Sequence, residues 1–252
     1  MERKVSDWGG TMSAFILVIF VNYLSNALPL NGFTQKDLSD KYTSLFTPAG
    51  FTFSIWGVIY LALAAFVVYQ ALPSQRNNVL MSKVSKLFIV SCFANMLWLF
   101  AWHYEFVGTS LVIMFGILAT LIAIYRALGL NMRQATWKEH LFLHLPFSLY
   151  TGWITVATMA NISIFQNAMG WDDLFVSATN WTLLKLAVVG VIGAIIVLRR
   201  CDFIYGLVIA WAAFGIMSKQ VDTPMIAGAA MMLVAFSVIL ATYEGIRQLF
   251  KD

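Results

Sequence analysis

Thr47-Pro48-Ala49-Gly50-Phe51-Thr52-Phe53-Ser54-Ile55-Trp56-Gly57-Val58-Ile59-Tyr60 opens a long apolar run with a proline just inside its start. Thr47 is placed to cap a new helix, and Pro48 carries the φ that a first helical turn needs. Trp56 and Tyr60 follow one turn apart and share a face. Two large rings with polar tips, stacked inside a lipid-embedded helix, can wall a pocket for a flat apolar molecule. Either ring taken alone also serves as packing or as an interfacial anchor.

The rest of the chain has the same character. Of its 252 residues, 60% are hydrophobic and 11% charged, where a soluble domain carries about a quarter charged residues. Apolar runs near the roughly 20 residues that a bilayer requires fall at about 11–29, 49–72, 82–103, 108–129, 140–164, 178–198, 203–218 and 224–246. The seventh is short. No stretch alternates as a membrane β-strand does. The expected fold is an all-α, polytopic membrane helical bundle. Arg3 and Lys4 before the first run, and Ser25-Asn26-Ala27 at its end, also allow a signal peptide. The length of the run favours a retained helix.

The basic residues set an orientation. Twelve of them (Arg3, Lys4, Arg76, Lys83, Lys86, Arg126, Arg133, Lys138, Arg199, Arg200, Arg247, Lys251) fall on one side of the alternating spans. Lys36, Lys41 and Lys219 fall on the other, and Lys185 lies within a span, from which it can snorkel outward. The positive-inside rule then puts both termini in the cytoplasm, and the even count of spans agrees. Such scattered charge does not suit a nucleic-acid partner. Cys92 and Cys201 sit in or beside apolar runs and imply no disulfide framework. The loop at 30–47 is polar, leads into the Pro48 helix, and is placed either to lid a pocket or simply to connect. Trp8, Trp137, Trp171 and Trp181 fit an aromatic belt at the headgroups.

Further aromatic residues share helical faces. Trp98 and Trp102 are one turn apart, and Tyr150, Trp153, Ala157 and Asn161 are spaced three, four and four. With Trp56 and Tyr60, three helices each offer rings, and Ala157 leaves space beside them. Asn95 and Asn161 are costly facing lipid, so they are expected to face the bundle interior and bond across helices. Both can serve simply to hold helices together. His140 and His144, beside Glu139, have a spacing that can hold a metal, but no further ligand is near in sequence. His103 beside Tyr104 reads as a hydrogen-bonding histidine at a helix end, or as an axial ligand to haem-type iron. No acid lies deep in a span, as proton-coupled transport usually requires. No nucleophile–base pair, P-loop or dinucleotide fingerprint is visible, so nothing supports an ordinary enzyme.

Three stretches together resemble the TspO/MBR family, the tryptophan-rich sensory proteins that include the mitochondrial translocator protein. Pro48, Trp56 and Tyr60 have the spacing of that family's second helix, with Thr47 in place of its first Pro and Gly50 in place of its early Trp. Ala94-Asn95-Met96-Leu97-Trp98 is similar to its Leu-Asn-Leu-Ala-Trp, followed here by Leu99-Phe100-Ala101-Trp102-His103-Tyr104. Tyr150, Trp153, Ala157, Thr158 and Asn161 match its Tyr-x2-Trp-x3-Ala-Thr-x2-Asn.

The resemblance covers about residues 10–165. It implies a five-helix TspO-like domain over 1–165, with 166–252 as additional transmembrane helices without a counterpart. It further implies a ligand site at Trp56, Tyr60, Asn95, Trp98, Trp102, Tyr150, Trp153, Ala157, Thr158 and Asn161. The implied ligand is a hydrophobic small molecule, either a porphyrin or haem-like tetrapyrrole or a sterol. A homodimer and a sensing, stress or transport role are implied as well, and some members are reported to degrade porphyrin in light. The expected setting is a bilayer, taken as a bacterial inner membrane. Three readings stay open: a ligand-binding sensor, a permease for a hydrophobic solute, and a structural membrane subunit.

Overall fold

The computed structural model describes residues 3–28, 30–33, 37–38, 41–42, 44–130 and 135–250. Lys36, Arg133 and Lys251 of the charge count, and parts of the 30–47 loop, lie outside the described residues. Eight long helices are present among the described residues: α1 (Val5–Ala27), α2 (Ile55–Ala71), α3 (Val79–His103), α4 (Val107–Leu128), α5 (Leu145–Ala168), α6 (Ala178–Arg200), α7 (Phe203–Lys219) and α8 (Pro224–Leu249). Each falls on one of the eight apolar runs. Six apolar segments reach membrane-spanning length, containing α1, α2, α3, α4, α6 and α8, and α7 is a shorter apolar helix. The chain is a multi-pass integral membrane protein. Exposed apolar residues such as Leu61, Val112 and Ile239 would be a liability in water and suit lipid contact.

Local chemistry sets the helix ends. The Asn78 side chain accepts from the Leu80 and Met81 amides at the start of α3. Ser177 and Asp202 cap α6 and α7 in the same way. Pro224 takes the first turn of α8, where its missing N–H costs nothing. Gly129, at φ 59°, closes α4 in the left-handed conformation that glycine tolerates.

The start of α2 departs from the sequence expectation. Thr47 does not cap it and Pro48 does not open it. Ala49 precedes a 3-10 turn at Gly50–Ser54, and the α-helix begins at Ile55. The cause is tertiary. The Ala49 N–H donates to the Gly215 carbonyl at 3.0 Å. Trp211 Nε1 donates to the Thr52 carbonyl at 2.9 Å. The first bond satisfies a backbone N–H that a side-chain cap would otherwise have to serve, and the second ties the 3-10 turn to α7.

The residues group into two compact units, Met1–Leu38 with Trp56–Thr151, and Ser39–Ile55 with Gly152–Asp252. In the first unit, Phe66, Phe88 and Phe147 form a fully buried aromatic core, with ring centroids 4.9 to 6.1 Å apart. At one end the buried Arg3 guanidinium donates to the Gln70 carbonyl (2.7 Å), Gln70 Oε1 (2.7 Å) and Ser85 Oγ (2.8 Å), and pairs with Asp7 (3.3 Å). The second unit is built on close helix approach. A Cβ on Gly152 would lie 3.1 Å from Val208, and the neighbouring Tyr205 hydroxyl donates to Thr155 Oγ1 at 2.7 Å. Small residues and short interhelical bonds are what membrane helices use to associate, since apolar burial gains little inside lipid.

Candidate functional site

In the first unit, α2 presents Trp56 and Tyr60, α3 presents Asn95, Trp98 and Trp102, and the first turns of α5 present Tyr150. Trp56 stacks on Tyr60 with centroids 5.3 Å apart and planes 23° off parallel. It also meets Tyr150 edge to face at 5.9 Å. Asn95, 2% exposed, accepts from Asn22 Nδ2 at 3.1 Å and donates to the Tyr150 hydroxyl at 3.4 Å. Asn95 therefore bonds across three helices, α1, α3 and α5, as its place in an apolar span requires. Tyr150 is buried, while Trp56 and Tyr60 are half-buried. The cluster thus combines an indole, two phenols and an amide chain in an apolar setting. Such a set can hold a flat apolar molecule by ring contact and take its polar edge by hydrogen bonding.

Trp98 and Trp102 form a separate stacked pair on α3, 6.0 Å apart and 11° off parallel. Next to them His103 is fully buried, and its Nδ1 donates to the Leu99 carbonyl at 2.7 Å. The Asn31 side chain donates to the His103 carbonyl at 3.1 Å, tying the start of the 30–47 loop to the end of α3.

The remaining predicted residues belong to the second unit. Trp153 is 2% exposed and meets Phe53 edge to face at 6.0 Å. Thr158 Oγ1 donates to the Ile154 carbonyl at 2.7 Å. Asn161 is buried, and its amide donates to the Ala157 carbonyl at 3.0 Å, a bond within its own helix. Ala157 is half-buried. Lys185, expected to snorkel, is only 8% exposed.

Sequence reasoning missed Asn22, the amide that completes the Asn95 chain. A polar side chain inside an apolar run was the available signal. Tyr205 and Trp211 were also missed, because aromatic residues in an apolar helix carry no mark of the bonds they make. His140 and His144 lie in a π-helical turn with rings 4.7 Å apart. Among the described residues no group of three His, Cys, Asp or Glu is placed to hold a metal.

A cavity of about 520 Å³ lies in the second unit between α6 and α8. It is lined wholly by apolar residues, and none of the predicted site residues reaches it.

Neither the curated proteins nor the solved structures gave a match. The model of the family described as TSPO-like protein matches residues 9–243. That range runs past residue 165 through α6, α7 and most of α8, so the helices that lacked a counterpart in the sequence pattern lie inside the match. With nearly its whole length covered, the chain belongs to the TSPO-like protein family.

Proposed function

We propose that this TSPO-like membrane protein binds a planar, largely apolar ligand at the Trp56–Tyr60–Tyr150 cluster, and that occupancy serves a sensing or regulatory role. The observation that carries the reading is Trp56 itself. It is half-buried, stacked on one phenol and in T-shaped contact with another, Tyr150, whose hydroxyl accepts from an amide held in place by Asn22. A tetrapyrrole of the porphyrin class suits this chemistry, with extended π faces for the rings and polar substituents at its edge. Trp98 and Trp102 offer a second indole pair on α3. The proposal rests on the residues of the first unit.

We also propose that all eight helices cross the membrane and that both termini are cytoplasmic. The support is the excess of basic residues on one side.

The test is to purify the protein from its native membrane, record its absorption spectrum and analyse the organic extract. A tetrapyrrole band with the matching mass is expected. An extract of lipid alone, with no saturable binding of added protoporphyrin, would contradict the reading. Protoporphyrin flux through proteoliposomes would instead assign a transport role.

A further inference from the structure

The cavity between α6 and α8 is lined by residues of those two helices alone. On α6, Ala187, Gly190 and Ala194 remove side-chain bulk along one face. At Gly190 the two helices come close, and a Cβ there would lie 3.1 Å from Leu233 Cδ1. Leu183 and Ile195 on one side and Phe236 on the other rise around this floor. The shape is a groove along the helix axes. From Leu183 to Ile195 it runs about 18 Å at the helical rise, a little over half of a hydrocarbon core of about 30 Å.

The lining contains no donor or acceptor side chain. An occupant must therefore be apolar along the groove and carry any polar group beyond its end. The two ends differ in charge. Arg199 lies one turn past Ile195 on the same face and is exposed, and Arg200 is half-buried beside it. Neither arginine has an ion-pair partner among the described residues. At the opposite end the loop before α6 carries Asp172 and Asp173. An anionic head is favoured at the arginine end and disfavoured at the other.

The geometry points to a phospholipid site: the α6/α8 groove holds one acyl chain of an anionic phospholipid, and Arg199 and Arg200 hold its headgroup. A groove about 18 Å long at the helical rise, lined wholly by apolar residues, suits a chain rather than a flat ring. Two arginines at one end, without an ion-pair partner among the described residues, favour an anionic lipid over a zwitterionic one.

The test uses delipidated full-length protein in detergent. It is titrated with phosphatidylglycerol or with phosphatidylcholine of the same acyl chains, and bound lipid is counted by native mass spectrometry. Phosphatidylglycerol is expected to fill the first site at a concentration about tenfold lower, from two nearby cationic side chains. Arg199→Gln with Arg200→Gln is expected to abolish this preference. Ala194→Phe, or Ala229→Phe on the facing helix, is expected to weaken first-site binding of both lipids while helical content is unchanged. The arginine pair lies outside the groove, so its result stands even where a groove variant fails to fold. Equal affinity for the two lipids in the wild type would overturn the proposal. So would a folded Ala194→Phe protein with normal lipid binding. Loss of a dimer in Ala194→Phe without loss of lipid would give the groove to a second copy of the chain instead.

Discussion

Gly215 and Thr52 are packed so closely that a Cβ on Gly215 would collide with Thr52 Oγ1. Position 215 therefore has no room for a side chain. Gly215→Ala is expected to lower stability by about 1–3 kcal/mol, the usual range for forcing atoms into a packed site. Thr52→Ala in the same chain removes two of the three clashing atoms and is expected to restore much of the loss. Thermal unfolding of the two single variants and the double variant checks this. An unchanged midpoint for Gly215→Ala would contradict the packing described.

The Arg3 network makes a second prediction. Arg3→Met leaves Asp7 buried without its cation and removes three donors from Gln70 and Ser85. Stability is expected to fall by about 3–5 kcal/mol, because a buried charge loses its partner. Arg3→Lys keeps the charge but not the planar fork, and is expected to lie between the two. Unfolding midpoints in one detergent measure both. Equal midpoints for wild type and Arg3→Met would show that the network contributes nothing.

Tyr205→Phe isolates one interhelical bond. The ring stays and only the hydroxyl donated to Thr155 is lost. A loss of about 0.6 kcal/mol, and no more than about 1.7, is expected for such a bond within a membrane protein. A larger loss would mean that the hydroxyl holds more than this one contact.

Much of this architecture was legible in the sequence, and the reasons are specific. The eight helices follow the eight apolar runs, and six apolar segments reach the length and continuous apolar character that a bilayer demands. Asn95 was expected to face inward, and it does, since an amide in lipid has no partner. The start of α2 was not legible. Its backbone donor is satisfied by Gly215, far along the chain, so the local signal of Thr47 and Pro48 was overridden. The α6/α8 groove was also hidden, because Ala187, Gly190 and Ala194 look like ordinary members of an apolar span until Leu233 is placed opposite them. For the candidate site, spacing alone predicted the Trp56–Tyr60 and Trp98–Trp102 pairs. The edge-to-face contact of Trp56 with Tyr150 depends on the path between helices, which spacing does not carry.

Topology can be checked independently of any ligand. Reporter fusions at the C-terminus and in the loop near Asp172 are expected to report opposite sides, with the C-terminus cytoplasmic. A C-terminus on the outer side would contradict the orientation drawn from the basic residues.

The aromatic cluster is tested most directly by tryptophan-fluorescence quenching with protoporphyrin in wild type, Trp56→Ala and Asn95→Ala. Wild type is expected to show saturable quenching. Trp56→Ala removes one ring contact, worth about 0.5–1.5 kcal/mol beyond its area burial, and is expected to weaken affinity by roughly tenfold or less. Asn95→Ala releases the Tyr150 hydroxyl and is expected to weaken it further than the loss of a remote polar residue would. Saturable binding with equal affinity in all three proteins would place the ligand elsewhere, and the absence of saturable quenching in wild type would contradict the proposed function itself.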